Sequence, residues 1–158
     1  MRFWWEQFRY IHLRSLGDMR VMIFTDRVGA ALRILVVDDE PAIHEVVGLF
    51  LEGESVALSF ASNGGEALGR LLERDFDLVI TDRNMPIMGG DELAAQVRKI
   101  APQMPILLIS GHAEVEIDKR RFDAFLPKPF SKRQLGEAVR SMDLRRSLSP
   151  AAWPGHGN

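Results

Sequence analysis

From Arg33 onward, short apolar runs alternate with longer segments in which apolar residues recur every three or four positions. This is the pattern of strands joined by crossover helices in a parallel sheet. The strand candidates are Ile34 to Val37, Val56 to Ala61, Leu78 to Thr81, Ile106 to Ser110 and Ala124 to Pro127. The first, third and fourth are almost wholly aliphatic, as strands covered on both faces must be. Between them the helix signals are readable. Pro41 suits a first helical turn, with Ile43, Val46, Val47, Phe50 and Leu51 following on one face. Asn63 caps a second helix, Glu66 completes a box-like pair, and Ala67, Leu68, Leu71 and Leu72 face the sheet. A third helix starts after Gly89-Gly90 and carries Leu93, Val97 and Ile100. The last opens with Ser131 as cap, Gln134 at the box position and Phe130 placed to staple onto Leu135; Leu135, Ala138, Val139 and Met142 form its buried stripe.

Only Gly111 to Asp123 joins the last two strand candidates, close to the minimum for a parallel crossover. The fourth helix is therefore expected to be short or frayed, around Glu114 to Arg121. The ends differ from this middle. Residues 1–32 are expected to be an N-terminal extension, either poorly ordered or preceding a natural start at Met19 or Met22. A helix with Trp4, Phe8 and Ile11 on one face, packed on its own domain or serving as an anchor, is the alternative. Residues 145–158, with Pro150 and Pro154, read as a disordered tail.

Composition bounds the function. The 158 residues suffice for one ordinary domain, and 46% apolar with 27% charged content excludes a wholly disordered or collagenous chain. Twenty basic against 22 acidic residues, net -2, advertise neither nucleic acid nor an acidic membrane as partner. The absence of cysteine excludes disulfides, a thiolate nucleophile and Cys-based metal sites. The longest stretch free of Asp, Glu, Lys and Arg is Ile100 to Ala113, 14 residues with two prolines, too short to span a membrane. Glu6, Arg9, Arg14 and Asp18 interrupt any signal-peptide core, so a cytoplasmic location is expected.

In an open parallel sheet, ligands bind outside the carboxyl ends of the strands. The first strand runs into Asp38-Asp39-Glu40 and the third into Asp82, the fourth ends at Ser110, and Lys128 follows the fifth. A single Asp at a strand end is usually a cap or a solvated loop residue. Several together are another matter, because two carboxylates ~4 Å apart repel by ~4 kcal/mol at an effective dielectric near 20. They need a cation or a raised pKa. Oxygen ligands without cysteine favour a hard ion such as magnesium, which takes phosphate oxygens as further ligands, and an Asp carboxylate can accept a phosphoryl group covalently.

The strings ILVVDDEP (34–41), DLVITDRNMPIMGG (77–90), PILLIS (105–110) and FLPKPF (125–130) resemble the receiver domain of two-component response regulators, over about residues 33–144. The resemblance implies a flavodoxin-like, doubly wound five-stranded parallel sheet of order 2-1-3-4-5, flanked by five helices in three αβα layers. It implies that Asp82 is the phosphoacceptor, and that Asp38, Asp39, Asp82 and the Asn84 backbone carbonyl hold Mg2+ or Mn2+, Asp38 largely through water. Lys128 would pair with a phosphoryl oxygen, Ser110 would donate its hydroxyl to another, and Phe125 would be the coupled aromatic switch. The Lys128-Pro129 bond would be cis. Charge logic supports these roles, since phosphorylation adds roughly -1.5 to -2 charges and new acceptor oxygens.

Some residues depart from the family pattern. The interval from Ser110 to Lys128 is short, Arg121-Phe122-Asp123 stands where a Gly-Ala pair is common, and Pro127 resembles receivers linked to sensor kinases. His12, His44, His112 and His156 lack metal-ligand spacing, although His112 lies two residues past Ser110 and could border the site.

The expected function is a single-domain response regulator. It takes a phosphoryl group on Asp82 from a sensor histidine kinase or phosphotransfer protein and signals to a downstream protein target. It would be no enzyme beyond self-catalysed phosphorylation and dephosphorylation, would work as a monomer or phosphorylation-dependent dimer, and would not touch nucleic acid directly, the tail after Leu144 being short for a helix-turn-helix module. The alternative is an adaptor that keeps the receiver fold but works without phosphorylation. A phosphohydrolase with an aspartyl-phosphate intermediate fits less well, because its nucleophile would follow the first strand and Asn84 stands where its acid would be.

Overall fold

The computed structural model describes residues 12–16, 19–23, 31–111 and 117–148, and it divides into two compact units at Ala30/Ala31. In the first unit, β1 (His12–Leu16) pairs antiparallel with β2 (Met19–Ile23), His12 opposite Ile23 and Leu16 opposite Met19. Strands were not expected here. The signal for them is the Gly17-Asp18 pair, a two-residue connection suited to a hairpin. Trp4, Phe8 and Ile11 lie outside the described residues.

The second unit runs β3 (Leu32–Val37), α1 (Pro41–Phe50), β4 (Val56–Ala61), α2 (Gly64–Glu73), β5 (Leu78–Asp82), α3 (Gly90–Ile100), β6 (Ile106–Ser110), β7 (Ala124–Pro127) and α4 (Lys132–Leu148). Its sheet is parallel throughout with order β4-β3-β5-β6-β7, the 2-1-3-4-5 winding expected. Successive strand residues point to opposite faces, and here both faces are covered. Leu35, Val37, Val79 and Leu108 enter one apolar layer with Ala67 and Leu71 of α2 and Leu93 and Val97 of α3. Ile34, Val36, Ile80 and Ile109 enter the other with Val47 of α1 and Leu135, Val139 and Met142 of α4. The chain reverses its winding between β3 and β5, so the ends of these two strands flank the crevice where such sheets bind ligands.

The helix caps follow the sequence signals. Asn63 Oδ1 accepts the Glu66 N–H at 2.9 Å, while Glu66 reaches back to the Ser62 N–H at 2.8 Å, one residue before the cap. At α4 the box is reciprocal, with the Ser131 N–H donating to Gln134 Oε1 at 2.9 Å and the Gln134 N–H to Ser131 Oγ at 3.3 Å. Two expected core positions are exposed. Leu72, 63% exposed, lies one step past the buried Leu71 of α2, and Ile100, 43% exposed, is the last residue of α3, where the helix leaves the layer although it stands three positions after the buried Val97. Helix α4 continues to Leu148, past the domain boundary expected at residue 144; residues 149–158 lie outside the described ones.

The short fourth crossover is closed without a helix among its described residues, where the expected five flanking helices number four. Ile117 and Asp118 are irregular and Lys119–Arg121 form a turn, while 112–116, His112 included, lie outside the description. Phe122 inserts into the α2/α3 layer at 2% exposure, a burial that stabilises by about 1.5–3 kcal/mol. Asp123 Oδ2 accepts the Ile106 N–H at 2.8 Å. The Arg98 guanidinium on α3 donates to the carbonyls of Pro102, Met104, Arg120 and Arg121 and to Asp123 Oδ2. The bulky Arg121-Phe122-Asp123 sequence thus ties the end of the crossover to the core and to α3.

Candidate phosphoacceptor site

Each strand delivers its polar residue at the same edge because the sheet is parallel and in register. Val37 of β3 stands beside Thr81 of β5, Asp82 beside Ile109 of β6, and Ser110 beside Pro127 of β7. Asp82 is the last residue of β5 itself, one position further into the strand than the pattern suggested, and its side chain is 10% exposed. Its Oδ2 accepts the Asn84 N–H at 2.7 Å, and its Oδ1 lies 3.0 Å from Lys128 Nζ. Asp38 continues the ladder beyond β3, its N–H donating to the Ala61 carbonyl at 3.0 Å. Its Oδ1 accepts the Glu40 N–H at 2.9 Å, which turns the chain into Pro41 and α1, and its Oδ2 accepts from Lys128 Nζ at 2.8 Å.

Lys128 is the hinge of this arrangement. Its N–H donates to the Ser110 carbonyl at 2.9 Å, the Lys128-Pro129 peptide is cis, and its ammonium bridges Asp38 and Asp82 with Glu40 Oε1 further out at 3.5 Å. Pro127, lacking a donor, sits on the sheet's edge strand, where the missing N–H costs no ladder bond. Burial works against the charged amine, but hydrogen bonds to Asp38 and Asp82 and their charges outweigh it, and its pKa is raised above the ordinary lysine value. For Asp38, burial dominates and raises the carboxyl above its usual range, with Asp82 adding to this, although the Lys128 and Glu40 hydrogen bonds oppose it. Two largely buried carboxylates share one ammonium, so the cluster is short of positive charge. Removing the amine would leave them facing each other, a defect of the kind that costs about 3–5 kcal/mol.

The structure therefore brings Asp38, Asp82 and Lys128 together. Ser110 is buried at 2% exposure on the end of β6, and Phe125 on β7 is half-buried against the α2/α3 layer. Asp39 and Asn84 are exposed at the rim, and among the described residues no group of three acidic or imidazole side chains is gathered as a metal cluster. The oxygen-only donor set and its unbalanced negative charge nonetheless suit a hard divalent cation.

Sequence reasoning missed the support beneath Asp82. Gly90 at the start of α3 donates to the Arg83 carbonyl at 2.9 Å, and a Cβ there would collide with the Asp82 carbonyl oxygen. Gly89 faces the Arg83 carbonyl less closely, 2.8 Å from where its own Cβ would be. The Gly-Gly pair reads as a helix start in sequence; its further use is to let α3 lie against the backbone of the phosphoacceptor candidate. Arg83 is held by Asp91 at 2.7 Å, and Thr81 Oγ1 donates to the Asp82 carbonyl at 2.9 Å.

A doubly wound sheet with paired acids at its winding reversal and a lysine from the last strand defines the class. Comparison with known proteins gives the family. Residues 34–140 match the response regulator receiver domain. The transcriptional regulatory protein ResD of Bacillus subtilis is 35% identical over 119 residues, which are 73% of this chain and 49% of that protein. The receiver domain protein of Methanospirillum hungatei superposes with a TM-score of 0.70 at 29% identity, over 75% of this chain and 98% of that one. TrrA of Thermotoga maritima, solved in complex with Mg(2+)-BeF, gives 0.66 at 34% identity, over 70% and 98%. The chain belongs to the response regulator receiver family, and it spans about half the length of ResD. Receivers of this family are phosphorylated on an aspartate in two-component signalling, generally bind Mg2+, and act as signalling modules whose proteins interact with histidine kinases and downstream targets. No helix among the described residues is long and apolar enough to cross a membrane.

Proposed function

We propose that Asp82 is the phosphoacceptor of a phosphorelay and that its modification changes the surface this chain offers to a protein target. The observation that carries the reading is the Lys128 ammonium shared between Asp82 at 3.0 Å and Asp38 at 2.8 Å, on the sheet edge where the winding reverses. An oxygen of the Asp82 carboxylate attacks the phosphorus of a donor phosphohistidine; the P–O bond forms as the P–N bond breaks, and the imidazole nitrogen keeps the electron pair and takes a proton from solvent. The Asn84 N–H and Lys128 hold the carboxylate in place for this attack. Lys128 then stabilises a phosphoryl oxygen, and Ser110 donates its hydroxyl to another. Inward movement of Ser110 opens room for Phe125 on the neighbouring strand, where Leu108 is its partner in register.

Asp38, Asp39, Asp82 and the Asn84 carbonyl would hold Mg2+ or Mn2+, whose charge would offset that of the incoming phosphoryl group. The donor is a sensor histidine kinase or histidine phosphotransfer protein. The chain catalyses its own phosphorylation and dephosphorylation and no other turnover. We place it in the cytoplasm, as a monomer or phosphorylation-dependent dimer whose output passes to a protein and not directly to nucleic acid.

Radiolabel transfer from phosphorylated kinases, and from acetyl phosphate with Mg2+, tests this. Wild type should label and Asp82→Asn should not; label retained on Asp82→Asn would sink the reading. The fourth crossover, which carries no helix among its described residues, favours a second reading, a phosphorylation-independent adaptor. Partner binding unchanged by Asp82→Asn would select it.

A further inference from the structure

We propose that Arg83 and Arg121 compete for the carboxylate of Asp91, and that phosphorylation of Asp82 passes Asp91 from the first guanidinium to the second. The proposal rests on the reading of Asp82 as phosphoacceptor and concerns how its new charge is felt elsewhere in the chain. Asp91 stands in the first turn of α3. Arg83, the residue after Asp82, holds it in a two-pronged pair, Nε to Oδ2 at 2.7 Å and Nη2 to Oδ1 at 3.4 Å, with 18% of the arginine side chain exposed. Arg121 approaches the same residue from the crossover before β7. Its Nη1 donates to the Asp91 carbonyl at 3.4 Å and lies 4.0 Å from Oδ1, the outer limit of an ion pair, while its Nε is 3.4 Å from Asp118 Oδ2.

Arg121 belongs to the Arg121-Phe122-Asp123 sequence that stands where a Gly-Ala pair is common, and a glycine there could make none of these side-chain contacts. The backbone of the turn is tied to α3 separately, the Arg121 carbonyl accepting from Arg98 Nη2 at 2.8 Å. The turn is thus anchored without the Arg121 guanidinium. That group reaches instead toward the start of α3, the end of the helix that lies against the Asp82 backbone. Asp91 is therefore the one carboxylate offered both to the neighbour of the phosphoacceptor and to the crossover.

Phosphorylation supplies the reason for the exchange, because it adds roughly -1.5 to -2 charges beside Arg83. The unmodified site has one ammonium for Asp38 and Asp82. With a divalent cation added, Asp38, Asp39 and a phosphoryl group on Asp82 still leave about one negative charge unmatched. Arg83 adjoins Asp82, and a guanidinium meets phosphate oxygens with the same fork that it offers a carboxylate. As Arg83 turns to the phosphoryl group, Asp91 loses its close partner. Arg121, already 4.0 Å away, closes on Asp91 and leaves Asp118, and the turn before β7 is drawn toward the first turn of α3. Arg83 thus touches the phosphoryl group, whereas Asp91 and Arg121 act through it as positioning residues.

The test is binding of beryllofluoride with Mg2+, a stand-in for the phosphoryl group, to the full chain, followed by fluorine NMR. Arg83→Gln should bind about fivefold or more weakly. Arg121→Gln should bind about threefold more weakly, because the pair gained in the modified state is lost, and Arg121→Lys, which keeps the charge, should recover most of that loss. Asp91→Asn should bind about threefold more tightly, since its pair with Arg83 is closer and more buried than the one that replaces it. In the Asp91→Asn background, Arg121→Gln should change nothing further. Opposite signs and a vanishing effect are what loss of structure alone does not produce. Arg83→Gln binding as wild type does, equal weakening by Arg121→Gln in both backgrounds, or weaker binding by Asp91→Asn would each overturn the proposal while leaving Asp82 as acceptor. Wild type that neither binds the stand-in nor labels from acetyl phosphate would remove the Asp82 reading and this one with it.

Discussion

The two connections that leave β5 and β6 solve the same problem differently. After β5 the chain makes a tight loop and a full helix, and its stability comes from backbone approach: Gly90 lies against the Asp82 carbonyl and Gly89 against that of Arg83. After β6 the described residues hold no helix, and closure comes from side chains, with Phe122 buried in the core and Arg98 donating to the carbonyls of the turn. The first is rigid because nothing larger than hydrogen fits; the second holds because one guanidinium supplies several donors in a fixed plane. The loop bearing the phosphoacceptor candidate is thus fixed by exclusion, while the segment beside Phe125 is fixed by bonds that can be exchanged.

This contrast can be broken in order of size. Gly90→Ala forces a methyl group into the Asp82 backbone and should cost about 3–5 kcal/mol, read as a lower denaturant midpoint or no folded yield. Arg98→Ala should cost less, about 2–4 kcal/mol, because carbonyls and Asp123 lose a charged donor but water can reach part of them. Its amide exchange should quicken across residues 117–123 and stay unchanged across 82–90. A loss equal to that of Gly90→Ala, or exchange spread over both loops, would erase the distinction.

The smallest effect belongs to a control on a third connection, the cap of α2. The Ser62 N–H, followed by Arg70, holds the Glu66 carboxyl below its usual range. A lowered folded pKa gives stability that is present above the unfolded value, about pH 4.3, and is lost as pH falls through the folded one. Glu66→Gln should thus melt slightly lower than wild type near pH 7, by an amount equivalent to about 0.5 kcal/mol for so exposed a pair, and the gap should close below about pH 4. A gap that persists in acid would show that the cap acts by shape and not by charge.

Much of the fold is legible because its signals are local. The runs Val56–Ala61, Ile106–Ser110 and Ala124–Pro127 coincide with β4, β6 and β7; the second is buried along its whole length, and the two edge strands are read from short apolar runs bounded by polar residues. Asn63, Ser131 and Gln134 cap as their spacing predicts. Leu72 differs from expectation because one step along a helix turns a residue through about 100°, and Ile100 because periodicity does not tell where the last turn of a helix leaves its packing partner. The β1–β2 pair is marked in the sequence by Gly17-Asp18, a signal that apolar periodicity does not weigh.

By itself the sequence determined the order and type of elements in the sheet and which strand ends carry Asp38, Asp82, Ser110 and Lys128, because periodicity and capping act over a few residues. Only the tertiary structure decided that Lys128 sits between Asp38 and Asp82, partners 90 and 46 positions away along the chain. It alone decided that Arg98 ties the turn before β7 to α3 and that Ile87 bears a left-handed turn. The Lys128 pairs form because parallel strands bring their ends to one edge, and a backbone angle opposed by its own side chain is held by the packing on either side of it.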